Sequence, residues 1–413
     1  MISVRSHRQL LSGNKLLLIL LIAFLAACSK KITPPVKRPD TPGELPRKEQ
    51  QEKVELKPRI SSIGLILPFY TNEVNPRAVT SRNVANAEIA LEFYQGFKLA
   101  LDSLTQEADV QFRLELFDAW DDETRTANLA RAETVLNNDV LIGPIYPDGI
   151  KVFSELAALE GKVMVSPLAA SAPSQFNNPS LVSLTNSIDQ HGNRIAEYID
   201  KRYQPAKVNI VLVNTRSSDD LKFVTPLKKQ LGILSSNKLV INEVTNTQGI
   251  EKLLTKDKSN IVIVAPAEQD FVMPTINRLY KLKAEGGYAI DVFGHPNWDR
   301  LKIDINQLQA LNTRITSSFY VDRSSRRVKD FVARYRSLYW ADPSEYAFKG
   351  FDTGYYFGSL LAVYGEQYVQ HIGSTRYNGL ANDFQFIYSG QAGFRNSHLL
   401  LLQYKGYELK PVQ

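Results

Sequence analysis

Residues 62–70, SIGLILPFY, form a short apolar run that Pro68 interrupts. An apolar run of this length, bounded by a turn residue, is typical of a strand buried on both faces of a sheet. Apolar residues then recur at helical spacing from Ile89 through Phe93 and Phe97 to Leu104. The change from a short buried strand to an amphipathic helix predicts a parallel sheet that is covered by helices.

The same alternation continues through two series. The predicted strands of the first series are SIGLILPFY, VQFRLELFD, DVLIGP, KVMVSP and SLVSLT, and those of the second are AKVNIVLVN, LVINEV, NIVIVA, YAIDVFG and RITSSFYVD. The predicted helices span residues 88–104, 123–137, 148–159, 218–231, 248–256, 268–284, 325–340 and 345–370, before a β-rich tail from Asp383. We therefore expect an α/β protein with two doubly wound parallel-sheet lobes and a cleft between them, at the strand ends where such sheets usually bind ligands.

The N-terminus has the pattern of an export signal. Three basic residues without an acid precede an apolar run over residues 16–25, which is too short to span a bilayer as a helix. LAAC, which ends at Cys28, resembles the bacterial lipobox, and this resemblance implies cleavage before Cys28 and its acylation. An inner-membrane anchor or an inert cysteine are the alternatives. Two or more acyl chains attach a protein stably, whereas one alone is marginal.

A tether is predicted after the signal. Residues 29–60 contain six prolines, mixed charges and few apolar side chains, so they cannot bury a core and have a reach of up to roughly 100 Å. The formal net charge of +6 comes from this segment and the signal, because residues 61–413 carry 37 bases and 38 acids. The body is therefore not basic, and we expect no nucleic-acid partner.

Six motifs in order resemble the type I periplasmic binding proteins of the leucine/isoleucine/valine-binding type. They are IGLILPF, EFYQGFKLALDSL, LIGPIYPDG, VMVSPLAASAP, VSLTNSIDQHGNRIAEYI and EYAFKGFDTGYYFGSLLAV. The family implies three crossings between lobes, so each lobe is discontinuous in sequence. The expected domains are a signal over 1–28, a tether over 29–60, lobe one over 61–186 plus 322–385, and lobe two over 187–321 plus 386–413.

Candidate ligand-binding residues lie just beyond predicted strand ends. Tyr70 and Tyr146 do so in lobe one, and Asn214, Arg216 and Trp298 do so in lobe two. The resemblance adds one residue to this set, because Ser171 matches a small-residue turn that offers a hydroxyl to the ligand. A guanidinium such as that of Arg216 can hold an anion with two hydrogen bonds, although arginines are also common as solvated surface groups. The Trp298 ring could stack on a ligand or pack within its own loop.

Two departures from the family pattern weigh against binding of a free α-amino acid. In amino-acid-binding members the loop after the third strand offers backbone N–H groups to the ligand carboxylate, and here Pro144 and Pro147 remove two donors. The acid that binds the ligand ammonium is displaced or absent in HPNWD, residues 295–299.

An insertion over Thr71–Glu88 separates the first strand from its helix, which favours a lid or a docking surface.

Catalysis is not expected. The five histidines lack metal-ligand spacing, no nucleophile elbow or phosphate loop occurs, and the single cysteine is assigned to the lipid. The acids of DAWDDE, residues 118–123, are most simply explained as the start of a helix, where acidic side chains interact favourably with the helix dipole. We expect no cofactor and no metal.

Two functions remain open. The first is a lipid-anchored periplasmic solute-binding protein for an amino acid or a related small polar ligand, which it passes to an ABC permease. The second is an envelope lipoprotein that reuses the fold to bind a protein, as do the activators of penicillin-binding peptidoglycan synthases. Ser29, Lys30 and Lys31 follow the lipid site without an acid, which weakly favours the outer membrane with the body facing the periplasm.

Overall fold

The computed structural model describes residues 60–120, 122–157 and 161–412. In chain order the strands are β1 (Ile60–Leu67), β2 (Gln111–Asp118), β3 (Val140–Ile142), β4 (Met164–Ser166), β5 (Leu181–Ser183), β6 (Val208–Val213), β7 (Ile241–Val244), β8 (Ser259–Val264), β9 (Ile290–Phe293), β10 (Arg314–Ser317), β11 (Tyr377–Asn378), β12 (Asp383–Phe384), β13 (Phe386–Tyr388), β14 (Phe394–Asn396), β15 (Leu400–Lys405) and β16 (Glu408–Pro411).

Ten α-helices accompany these strands in the described ranges. They are α1 (Ser81–Glu107), α2 (Glu123–Ala130), α3 (Glu133–Leu136), α4 (Pro147–Ala157), α5 (Ile188–Arg202), α6 (Ser218–Leu234), α7 (Gln269–Ala284), α8 (Ile305–Ala310), α9 (Arg326–Tyr339) and α10 (Glu345–Tyr364). Short 3-10 helices include Thr71–Glu73, Thr247–Leu253, Pro296–Arg300 and Gly365–His371.

The strands form two seven-stranded sheets. The first has the order β13-β14-β5-β4-β3-β1-β2 and the second the order β16-β15-β10-β9-β8-β6-β7. Strands β1 to β5 pair in parallel in the first sheet, as β6 to β10 do in the second, whereas β13 and β15 pair antiparallel with their neighbours. The predicted two-lobe α/β fold is thus confirmed. We call the first sheet with its helices lobe one, and the second with its helices lobe two.

Each sheet is covered by apolar side chains on both faces. In β1, Ile63 and Leu65 face one core together with Phe97 of α1, while Ile66 faces the other core together with Phe153 of α4. All five side chains are fully buried. This double burial is the physical reason for the continuous apolar runs in the sequence, because a central parallel strand has no solvent face.

Helix α10 lies unusually close to α1. An added Cβ atom on Gly96 would lie 1.9 Å from the carbonyl oxygen of Ala347, and one on Gly350 would lie 2.0 Å from that of Phe93. The two helices can reach this separation only because glycine has no side chain at these two positions. The contact fixes the first turns of α10, which lie at the edge of the cleft.

The chain passes between the lobes at residues 184–187, 318–325 and 397–399. The last crossing differs from the predicted boundary at residue 386. β13 and β14 belong to the first sheet, where Phe394 pairs with Val182 of β5, and only β15 and β16 lie in the second sheet. A short strand can add to either sheet edge, and its own pattern does not specify which.

Some predicted helices begin or end elsewhere. The helix expected over residues 123–137 is divided into α2 and α3, because Ala132 has an extended backbone. Residues 247–253 form a 3-10 helix, and α10 ends before Gly365, which has a positive φ of 55°. Residues 81–88 of the predicted insertion belong to α1, because Thr80 and Asn83 form a capping box that starts this helix at Ser81.

Cys28, the predicted signal and the predicted tether lie outside the described residues. Within residues 60–120, 122–157 and 161–412, no helix combines the length and the apolar character needed to cross a bilayer.

Candidate functional site

The carboxyl ends of the first three strands border a notch of about 190 Å³ in lobe one. Its lining includes Pro68 after β1, Glu123 at the start of α2, and Tyr146 and Asp148 after β3. The notch lies where doubly wound sheets usually bind ligands. Of the six predicted ligand residues, only Tyr146 lines it.

Tyr70 lies in a turn that the Asp118 carboxylate holds. One carboxylate oxygen accepts hydrogen bonds from the backbone N–H groups of Phe69 and Tyr70, at 2.9 and 3.2 Å. Tyr70 itself has a left-handed backbone, with φ of 52°. The turn after β1 is thus stabilised by hydrogen bonds to Asp118, the last residue of β2.

Ser171 lies in the turn that follows β4. Its hydroxyl is half-buried and has no hydrogen-bond partner within the described ranges. The Ser171 hydroxyl is therefore available to bond to a ligand.

Asn214 and Arg216 lie together, around a carboxylate of the edge strand β7. The buried Asn214 side chain donates to Glu243 at 2.9 Å and accepts from the Arg216 backbone N–H, also at 2.9 Å. The Arg216 guanidinium lies 3.9 Å from the same carboxylate, and Lys228 donates to it at 2.8 Å. The Lys228 hydrogen bond lowers the pKa of Glu243. The Asn214 amide is therefore already engaged by the protein, while the Arg216 guanidinium remains largely exposed.

Trp298 is buried in the core of lobe two, with 1% of its surface exposed. Its indole N–H donates to the Pro266 carbonyl at 3.0 Å, and its ring packs against Gly294, where an added Cβ would lie 2.3 Å from the ring. Of the two possibilities for the Trp298 ring, the structure shows packing within the protein, and the ring has no open face for a ligand in this structure.

A group of charges that the sequence analysis missed connects the lobes. Arg300 follows β9 in lobe two, and its guanidinium lies 3.6 Å from the Glu345 carboxylate at the start of α10 in lobe one. Lys349, one turn further along α10, pairs with Glu345 at 2.7 Å. The Lys349 ammonium also lies 5.3 Å from the centre of the Phe319 ring and 5.5 Å from that of Tyr346. We call Arg300, Glu345, Tyr346 and Lys349 the cleft cluster.

Tyr146 has an electrostatic influence on one member of the cleft cluster, Tyr346. Burial raises the pKa of the Tyr346 hydroxyl, the Glu345 carboxylate adds to this effect, and the Tyr146 hydroxyl contributes in the same direction. One of the predicted residues, Tyr146, therefore lies within electrostatic reach of the Tyr346 hydroxyl, in a cluster that the sequence analysis did not identify. A signal did exist, because Glu345 and Lys349 have helical i,i+4 spacing and Arg300 follows a predicted strand end.

The cleft cluster can bind charged groups of both signs. Arg300 has 70% of its side chain exposed, Glu345 32% and Lys349 18%, so a small molecule can reach all three. The two cations suit a carboxylate, the carboxylate suits an ammonium, and the neighbouring rings add apolar surface. In the part of the chain that the structure describes, no group of three or more His, Cys, Asp or Glu side chains is arranged to hold a metal ion.

Comparisons with known proteins support the fold. No family model matches the sequence, and no curated protein matches it significantly. Solved structures do match. A putative branched-chain amino acid ABC transporter protein from Rhodospirillum rubrum is 16% identical, with a TM-score of 0.63, over 86% of this chain and 100% of that one.

Two further structures are similar. A branched-chain amino acid transporter protein from Rhodopseudomonas palustris is 13% identical, with a TM-score of 0.60, over 85% of this chain and 95% of that one. An ABC transporter substrate-binding protein from Desulfitobacterium hafniense in complex with Leu is 15% identical, with a TM-score of 0.55, over 86% of this chain and 100% of that one. The chain therefore has the fold of the type I periplasmic binding proteins, the class of two-lobed protein that the sequence motifs resemble.

Proposed function

We propose that this protein is a solute-binding protein whose lobes close on a small polar ligand, an amino acid or a related molecule, and deliver it to an ABC permease. The observation that carries the proposal is the ion pair between Arg300 and Glu345, 3.6 Å apart on opposite sides of the cleft. A zwitterion presents the same two charges, and it can replace this pair without leaving either group unpaired.

Each end of such a ligand has a partner of opposite charge in the cleft cluster. The ligand carboxylate binds the Arg300 guanidinium, with Lys349 as a second cation, and the ligand ammonium binds Glu345. Tyr146 and Tyr346 contact the apolar part. Because Arg300 belongs to lobe two and the other groups to lobe one, the closed state makes contacts to the ligand that the open state lacks. This difference in affinity is what drives closure.

The proposal places the protein on the cell envelope. Cys28 carries the lipid, the tether over residues 29–60 holds the body away from the bilayer, and the body faces the periplasm. Ser29, Lys30 and Lys31 follow the lipid site, and the absence of an acid there favours the outer membrane. If the protein has a lipid anchor, we expect the native chain to incorporate radiolabelled palmitate and a Cys28→Ala variant not to.

The test of solute binding is a thermal-shift screen of the full chain in lipid nanodiscs against amino acids, short peptides and muropeptide fragments. Saturable stabilisation by one class is expected, because a ligand that binds only the folded state stabilises it. Arg300→Gln and Glu345→Gln should each weaken that binding at least tenfold.

Arg278→Gln is the matched control for Arg300→Gln. Arg278 pairs with Glu251 on the surface of lobe two, away from the cleft cluster, and both side chains are 44% exposed. If no compound shifts a cooperative melt, solute capture is wrong. The alternative is then the function to test, an envelope lipoprotein that binds a protein such as a peptidoglycan synthase.

A further inference from the structure

A second concave surface lies on lobe one, outside the cleft cluster. The segment after β1, the first turns of α1 and the edge strand β2 enclose a groove of about 600 Å³, which we call the lobe-one groove. Its walls are mainly apolar. Val79, Val84 and Leu116 line it, with 58%, 51% and 46% of their surfaces exposed. Exposed apolar side chains gathered around a cavity of this size are typical of a binding site for a small molecule.

Most polar side chains of the lobe-one groove are already used by the protein. The Asp118 carboxylate accepts hydrogen bonds from Thr71, at 2.7 Å from its backbone N–H and 2.6 Å from its hydroxyl, besides those from Phe69 and Tyr70. The Asn83 amide accepts from the Thr80 backbone N–H at 3.0 Å and donates to the Glu73 carbonyl at 3.2 Å. Asp118 therefore offers little to a ligand, although among the described residues it is the only acid in the lining.

Arg125 differs from these groups. Its Nε donates to the Asp118 carbonyl at 3.1 Å, and its guanidinium carbon lies 4.7 Å from the centre of the Trp120 ring. Its two terminal nitrogens have no hydrogen-bond or ion-pair partner among the described residues, and the half-buried side chain lines the groove. The lobe-one groove therefore presents one oriented cation beside an apolar wall.

We propose that the lobe-one groove binds a small molecule with an apolar body and one anionic end, such as an aliphatic or aromatic carboxylate. The carboxylate accepts two hydrogen bonds from the terminal nitrogens of Arg125, a geometry that a planar guanidinium favours. The apolar body lies against Val84 and Leu116. The site is independent of the solute proposed for the cleft, since no residue of the cleft cluster lines the groove.

The experiment is calorimetric titration of the full chain in phosphatidylcholine nanodiscs with sodium octanoate, with empty nanodiscs as the blank. Octanamide, which has the same chain length without the charge, tests the anionic end. We expect one octanoate per chain, octanamide binding at least tenfold weaker, and a change in Trp120 emission, because Trp120 contacts the guanidinium. Val84→Asp and Arg125→Gln should each weaken octanoate binding at least tenfold.

Two matched variants control for the substitutions. Val363→Asp changes a valine of α10 that is 71% exposed, and Arg113→Gln changes an exposed arginine of β2 that does not line the groove. Both should bind octanoate as the native chain does. The proposal is overturned if the native chain shows no saturable octanoate binding, or if a folded Val84→Asp variant binds it with unchanged affinity. Equal affinity for octanamide overturns the requirement for an anionic end.

Discussion

The Asn186 side chain donates a hydrogen bond to the backbone carbonyl of Asn396 over 2.9 Å, and this bond ties the first crossing between the lobes to the end of β14, just before the third crossing. The Asn396 amide donates to the Leu184 carbonyl at 3.2 Å, and its oxygen accepts from the backbone N–H groups of Gln385 and His398, both at 3.1 Å. Asn396 is 2% exposed. The hinge is thus held by one buried side chain that bonds to several backbone groups.

Replacing Asn396 with alanine should destabilise the protein by about 2–3 kcal/mol, because it leaves several buried backbone groups without a partner. Urea denaturation of the full chain measures this loss. The control is Asn242→Ala, which removes a single bond between exposed side chains and should cost less than about 0.5 kcal/mol. Equal losses in the two variants would contradict the role of Asn396 in the hinge.

Gly96→Ala should cost about 3 kcal/mol. The added methyl group would lie 1.9 Å from the Ala347 carbonyl oxygen, so α1 and α10 would have to separate and lose packing along their contact. Thermal unfolding measures the effect. Gly373→Ala is the control, since the nearest atoms to its added methyl group are 3.8 Å away. A melting temperature equal to that of the control would show that the helices tolerate greater separation.

Glu92 should make the protein less stable as the pH rises. Burial raises its pKa from 4.5 to about 7, with a further contribution from Glu88, and the Ser344 hydroxyl donates to it. Between pH 4.5 and 7 the folded state keeps a proton that the unfolded state releases, so stability falls across this window. Glu92→Gln mimics the protonated form and should remove that fall. Because the side chain is partly exposed, we expect a gain of about 1 kcal/mol at pH 8.

Melting temperatures of the Glu92→Gln variant at pH 4.5 and pH 8 test this expectation. Glu285→Gln, at the exposed end of α7, is the control and should follow the native pH profile. A variant that gains nothing at pH 8 would be inconsistent with a raised pKa at Glu92.

His191 should have the opposite effect. Burial lowers its pKa from 6.5 to about 3, and His295 adds to this shift. Below pH 6.5 the unfolded state binds a proton that the folded state does not, so stability falls as the pH drops from 6.5 towards 3. The Thr316 hydroxyl lies 2.8 Å from the His191 Nδ1. His191→Asn keeps a side chain that can donate to or accept from this hydroxyl, and it should reduce the difference in melting temperature between pH 7.5 and pH 4.5.

The control is His371→Asn, which replaces an imidazole that stacks on Tyr364 in lobe one. That control should keep the native difference between the two pH values. If His191→Asn keeps it as well, the acid sensitivity has another source.

The candidate site was only partly predictable. Tyr146 lines the notch at the strand ends, where its position after a strand places it, but Trp298 is buried and Asn214 is engaged by Glu243. Position after a strand end indicates that a residue is near the cleft. It does not indicate whether the side chain turns to the ligand or to the protein, because that depends on neighbours distant in sequence.

The order of strands and helices and the two-lobed fold follow from the amino-acid pattern, since hydrophobic periodicity reports which faces of each element are buried. The membership of β13 and β14 in the first sheet, and the position of Arg300 opposite Glu345, became known only from the folded chain. The two kinds of information differ in their range along the sequence. Burial patterns repeat every few residues, whereas strand pairing and ion pairing join residues that only the folded chain brings within a few ångströms.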